Sequence, residues 1–257
     1  MPADGKHPVA SMLSRRGFEI IRKEPEEYLF FPTGLPEETL EELYAMLRRY
    51  SYRIFVRDII KHRDSFTVED LLKYSTREWA AEQVGWLLAK GIIEPERKGR
   101  YRLKSSAARS FGDTLEWLVA KVFEKELSCP ALWGVRLAGA EAGGDYDCIA
   151  SVEGELFYVE AKSSPPKNVE EAEVSAFIKR TEALCPAVAV FLEDTKLRMK
   201  DKIEPLFAGL LEGREIKRLW GETFSIGDRV FITNSHPDMA MNLASCVRRR
   251  LRPESFW

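Results

Sequence analysis

Residues 143–164 read GGDYDCIASVEGELFYVEAKSS. Two apolar segments flank Glu153-Gly154. The first carries Asp145 and Asp147, the second Glu160 and Lys162, each pair spaced by two. A two-residue connection with glycine in second place suits a tight hairpin. With that turn, Val152 faces Glu155, Asp147 faces Glu160 and Asp145 faces Lys162, and the period of two sets all four charges on one face. Phe157, Val159 and Ala161 then point the other way, into the core. The charged face is expected to line a cleft at the rim of the sheet.

Opposed residues in such a hairpin have Cβ atoms about 4.5–5.5 Å apart, and facing like charges destabilise the pair. Two carboxylates at that distance call for something between them. A divalent cation such as Mg²⁺ is the simplest candidate, because it takes hard oxygen ligands from one or two carboxylates and completes its shell with water and substrate phosphate.

Working outward, the pattern alternates helix and strand. Helix is expected over 111–127, 168–184, 197–212 and 238–250, and strand over 132–138, 145–152, 155–163, 187–193 and 224–234. That order makes an α/β domain, residues 106–257, with a central mixed β-sheet flanked by helices. Upstream, residues 1–35 are expected to hold a loose tail and an early hairpin around Pro25. Residues 36–105 hold the helical segment PEETLEELYAMLRRY, three further helical pieces between 52 and 91, and a basic hairpin, IIEPERKGRYRL.

Two resemblances follow. GDYDCIA and then FYVEAK, in the order helix, three strands, helix, strand, resemble the PD-(D/E)XK nuclease superfamily over roughly residues 107–193, implying a restriction-endonuclease-like core. The tripeptide alone is weak, since ERK at 96–98 and EIK at 215–217 also fit it, but neither has a facing aspartate upstream. The resemblance implies that Asp147 and Glu160 bind Mg²⁺, with Mn²⁺ as a substitute, helped by the backbone carbonyl of Ala161. Lys162 would position or activate the attacking water, and Asp145 would be accessory. Glu116 matches a glutamate often carried on the first core helix; a boundary glutamate beside a buried stripe explains it as well. Tyr146 stands where the family name has proline. Residues 36–105 resemble a winged helix-turn-helix in pattern.

The implied activity is a Mg²⁺-dependent endonuclease hydrolysing DNA phosphodiester bonds, and cutting both strands would be easiest for a homodimer. The wing, with Arg97, Lys98, Arg100, Arg102 and Lys104, would track a phosphate backbone; winged helices also mediate protein contacts. VRRRLR at 247–252 suits either a substrate wall or a helix C-terminus. The alternative is a non-catalytic winged-helix DNA-binding or regulatory protein whose nuclease-like domain serves assembly.

The net charge of −2 and pI near 6.1 lend no whole-chain support to nucleic-acid binding, so that expectation rests on local clustering. No apolar run approaches the ~18 residues of a membrane span, and no signal-peptide pattern opens the sequence, so a cytoplasmic protein is expected. Cys129, Cys148, Cys185 and Cys246 form no CxxC pair, which argues against a zinc ribbon.

Overall fold

A computed structural model of the chain describes residues 7–139 and 143–252. It divides into two compact units: Pro25–Thr114, and the chain before and after that insertion.

The larger unit begins with helix α1 (Pro8–Arg15) and strand β1 (Glu19–Arg22). This corrects the expected tail and hairpin within residues 1–35. β1 pairs instead with a strand far along the chain, and Val9 and Leu13 of α1 join the core. Residues 1–6 of the expected tail lie outside the described residues.

The inserted unit contains helices α2 (Glu37–Leu47), α3 (Tyr50–Lys61) and α4 (Arg77–Ala89), with a 3₁₀ turn at Val68–Leu71 before α4. Thr76 caps α4 by accepting the Trp79 N–H at 3.3 Å. Strands β2 (Ile93–Pro95) and β3 (Tyr101–Leu103) form an antiparallel hairpin, and Phe66 and Tyr101 exchange backbone hydrogen bonds beside it. At the hairpin tip Lys98 and Gly99 both have positive φ.

The larger unit resumes with helix α5 (Gly112–Glu126), which starts in the inserted unit, and strands β4 (Ala131–Ala138), β5 (Asp145–Val152) and β6 (Glu155–Lys162). Helix α6 (Glu171–Leu184), strand β7 (Val188–Glu193) and helix α7 (Ile203–Leu210) follow. Strands β8 (Ile216–Trp220), β9 (Thr223–Ile226) and β10 (Val230–Asn234) and helix α8 (Met239–Leu251) complete it.

The α/β architecture is as expected: an eight-stranded mixed sheet in the order β1-β4-β5-β6-β7-β10-β9-β8, flanked by helices. β6, β7 and β10 run parallel, and the remaining neighbours are antiparallel. The expected strand over 224–234 is a hairpin, because Gly227 and Asp228 take positive φ and reverse the chain between β9 and β10. β8 was not anticipated, and the helix expected over 197–212 shortens to α7.

The β5–β6 turn forms as read. Glu153 and Gly154 have φ of 48° and 77°, the left-handed pair of a type I′ turn, and Val152 faces Glu155. The ladder continues to Cys148 opposite Val159.

The face assignment fails beyond that point. Leu132, Val135, Tyr146 and Ile149 all join one apolar cluster, although strict alternation would separate Leu132 from Val135 and Tyr146 from Ile149. Gly134, with φ of 55°, lies level with Asp147 between the pairs Trp133–Cys148 and Val135–Tyr146. Both strands change parity there. Asp145 and Asp147 therefore do not share a face, and no open charged face runs along the hairpin. β5 and β6 are buried on both sides.

Phe177 docks α6 onto the sheet, with ring centroids 5.6 Å from Tyr158, 5.4 Å from Phe191 and 5.9 Å from Phe207 of α7. Among the described residues no helix is long and apolar enough to cross a membrane.

Candidate active site

Asp147 stands where β5 changes parity, at the end of the regular β5–β6 ladder. One carboxylate oxygen, Oδ2, accepts the Ala161 N–H at 2.8 Å, which ties it to the strand carrying Glu160 and Lys162. Oδ1 accepts no hydrogen bond from the described residues.

Glu160 is 1% exposed, and a buried carboxylate is tolerated only when paired and hydrogen-bonded. Its Oε1 meets Lys162 Nζ at 2.8 Å and Arg180 Nη2 at 2.6 Å. Its Oε2 accepts from the Tyr158 hydroxyl, which in turn accepts from Arg180 Nε at 3.0 Å. Arg180, Tyr158 and Glu160 thus close a ring of hydrogen bonds. Lys162 also lies 3.4 Å from Glu173 on α6, whose other oxygen accepts the Glu170 N–H and caps that helix.

Glu173, Phe177 and Arg180 fall at helical spacing on one face of α6, so the docking of Phe177 carries both charged residues to the sheet. Gly144, with φ of 81°, passes close by. A Cβ there would stand 3.2 Å from Arg180 Nη1.

The two carboxylates respond in opposite directions. Burial and then the Glu160 charge push Asp147 well above the usual carboxylate range, against the pull of Lys162, Ala161 N–H and Arg180. Burial also opposes ionisation of Glu160, but the Lys162 and Arg180 charges outweigh it and hold Glu160 below its ordinary value. For Lys162, burial is outweighed by Glu160 and Asp147, which raise it. It is a fixed cation rather than a base.

The expected residues Asp147, Glu160, Ala161 and Lys162 are therefore together. Asp145 is not with them. It pairs with Arg22 of β1 and, at 2.6 Å, with Arg136 of β4, which replaces the expected contact with Lys162. Glu116 on α5 is half-buried, and its charge, with those of Glu124 and Asp147, acts on buried Cys148. Among the described residues no three His, Cys, Asp or Glu side chains are grouped closely enough to hold a metal. Arg180 of α6 is a further site residue, with its side chain 12% exposed. The signal that would have found it is the 173/177/180 stripe.

A hard divalent cation suits this donor set. Asp147 offers an oxygen free of hydrogen bonds, and burial and then the Glu160 charge oppose its ionisation, both of which a cation would offset. Mg²⁺ needs only one or two carboxylates, with water for the rest.

The basic clusters are partly spoken for. Arg102 pairs with Glu94 at 2.5 Å, and Arg100 is held by Ser65. Arg97 and Lys98 have no ion pair among the described residues. In the 247–252 cluster, Arg250 grips Glu155 through two bonds and Arg249 pairs with Asp228.

The fold has solved counterparts. Protein VC1899 from Vibrio cholerae matches with a TM-score of 0.52 and 14% identity, over 94% of this chain and 62% of that one. Can2 from Sulfobacillus thermosulfidooxidans, in complex with cyclic tetra-adenylate, matches with a TM-score of 0.51 and 14% identity, over 95% of this chain and 60% of that one. The chain spans about three-fifths of the length of each, and at this identity the likeness is one of fold. No protein-family model and no curated protein matches the sequence.

Proposed function

We propose that the protein is a metal-dependent phosphodiesterase that cuts DNA at the Asp147–Glu160–Lys162 cluster. The observation that carries this reading is the geometry of buried Glu160, held by Lys162 and Arg180, beside Asp147, whose Oδ2 is tied to the same strand by the Ala161 N–H and whose ionisation burial and the Glu160 charge oppose. Strongly perturbed carboxylates with a specific charge partner cluster at functional sites. A bound Mg²⁺ or Mn²⁺ would be held by Asp147, Glu160 and the Ala161 carbonyl, and would lower the pKa of a water and offset charge on the phosphate.

The chain's own groups do the rest. Lys162, kept protonated by Glu160 and Asp147, sets a positive charge beside the anion that develops on the phosphate. Arg180 and Tyr158 fix the Glu160 carboxylate in one orientation. Glu173 steadies Lys162 from α6. In the inserted unit, the hairpin with Arg97 and Lys98 adds winged-helix-like binding to phosphates, and DNA as the substrate rests on the nuclease resemblance.

The test is incubation of the purified chain with Mg²⁺ or Mn²⁺ on linear duplex, single-stranded and branched DNA, with RNA alongside. Cleavage of DNA that chelation stops and Lys162→Ala removes is the expected result. No cleavage of any nucleic acid, or a folded Lys162→Ala protein of full activity, overturns the reading.

A further inference from the structure

Arg180 has an edge that neither Glu160 nor Tyr158 uses. Its Nε donates to the Tyr158 hydroxyl and its Nη2 to Glu160 Oε1, so both bonds lie along one side of the guanidinium. The end-on edge, Nη1 with the second Nη2 proton, has no hydrogen-bond partner among the described residues. A planar guanidinium presents such an edge as a two-pronged fork that matches the oxygens of a phosphate.

The fork is already held in place. The side chain is 12% exposed, its two bonds tie it to β6, and Phe177 on the same face of α6 packs against Tyr158. An arginine fixed in this way has little freedom left to lose when an anion binds. Nη2 and Lys162 Nζ meet the same oxygen, Glu160 Oε1, so the two cations flank one carboxylate.

Glycine keeps the approach to that edge open. Gly143 and Gly144 are both exposed, with φ of 59° and 81°. A Cβ at Gly144 would stand 3.2 Å from Nη1, whereas one at Gly143 would meet nothing within 4 Å. Positive φ accounts for glycine at both positions, but only at Gly144 would a side chain also fill the space in front of Arg180.

The balance of charge calls for an anion at the same place. Asp147, Glu160 and Glu173 stand against Lys162 and Arg180, so with all five ionised the cluster has one negative charge in excess. A divalent cation on Asp147 and Glu160 reverses that to one positive charge in excess, which a single phosphodiester neutralises.

We infer that Arg180 contacts the substrate directly: its Nη1 edge holds a non-bridging oxygen of the phosphodiester beside Gly144, while Nε and Nη2 orient Glu160. This rests on the phosphodiesterase reading of the Asp147–Glu160–Lys162 cluster. One rigid group then sets the carboxylate and the phosphate in a fixed relation to each other, the kind of orientation that speeds a displacement.

The experiment titrates the full chain, with Ca²⁺ as the divalent ion, with two thymidines joined by one phosphodiester and with the uncharged methylphosphonate analogue, following the ³¹P resonance of each. Saturable binding of the phosphodiester is expected, with the methylphosphonate weaker by about tenfold or more, because a hydrogen bond to a charged group is lost. Gly144→Ala should weaken the phosphodiester by a similar factor, whereas Gly143→Ala, which imposes the same left-handed strain but leaves Nη1 clear, should bind it like the parent. Arg180→Lys, which keeps a cation beside Glu160 but has no fork, should also bind it more weakly. No binding of the phosphodiester, equal binding of the methylphosphonate, equal losses in Gly143→Ala and Gly144→Ala, or no loss in Gly144→Ala and Arg180→Lys overturns the inference. A chain that cleaves DNA without these losses retains the nuclease reading and loses this contact; one that shows the losses and cleaves nothing retains the contact and loses the nuclease reading.

Discussion

Arg180 and Glu160 form an ion pair of 2.6 Å between α6 and β6, and the carboxylate that Arg180 shares with Lys162 is almost wholly buried. Removing one partner of a buried pair leaves an uncompensated charge. Arg180→Ala is therefore expected to cost about 3–5 kcal/mol, with Lys162 limiting the loss. Chemical denaturation measures it. The double variant Arg180→Met with Glu160→Gln should regain much of that stability without activity, because the charge is then gone as well.

Asp147→Asn should raise stability at neutral pH. A carboxyl whose folded pKa is raised contributes stability that is full below its unfolded pKa and is lost as pH rises through the folded value. At neutral pH the native protein bears the cost of burying a carboxyl whose ionisation burial and the Glu160 charge oppose, and the amide does not. The gap in Tm between variant and parent should narrow as pH falls below the elevated pKa and close below the ordinary carboxylate value. The same variant should bind Mg²⁺ or Mn²⁺ weakly by calorimetry, whereas Asp145→Asn, removed from the cluster by Arg22 and Arg136, should bind it like the parent.

Glu160 has the opposite sign. Its folded pKa is lowered, so its contribution is present above the unfolded value and lost as pH falls through the folded one. Glu160→Gln should therefore narrow its deficit against the parent in strongly acidic solution, as followed by thermal melts.

Lys162→Ala should lower the cleavage rate by about a hundredfold or more while leaving DNA affinity nearly intact, as expected for a charge aimed at the transition state. Single-turnover cleavage and a binding titration separate the two.

Neutralising Arg97 and Lys98 should weaken DNA binding and reduce its salt slope by about 1 for each phosphate that a side chain no longer neutralises. Arg102, already paired with Glu94, should matter less. Equal slopes for the variant and the parent would move the hairpin to a protein-binding role.

The hairpin was legible because Glu153-Gly154 admits few turns, and the turn sets the register as far as Cys148 opposite Val159. Asp147, Glu160 and Lys162 followed from it. The misplacement of Asp145 traces to Gly134, whose positive φ on the neighbouring strand shifts both strands out of period two. No pattern within β5 reports that. Arg180 was obscured because Lys179-Arg180 looks like a solvated surface until Phe177 is known to point inward. The partner of β1 was illegible for a different reason: the strand is four residues long, not fully buried at any of them, and pairs with β4 far along the chain instead of across a turn at Pro25.

Glu19 pairs with Ala138 across the whole inserted unit, so the sheet's first edge is made early and closed late. During synthesis β1 leaves the ribosome well before β4, while the helical insert, rich in local contacts, is able to fold in the interval. The α1–β1 segment can pair only once β4 has been made, and Arg22 then meets Asp145 of β5. Chains cut between β1 and α2 therefore have a natural seam, at which the two pieces should reassociate.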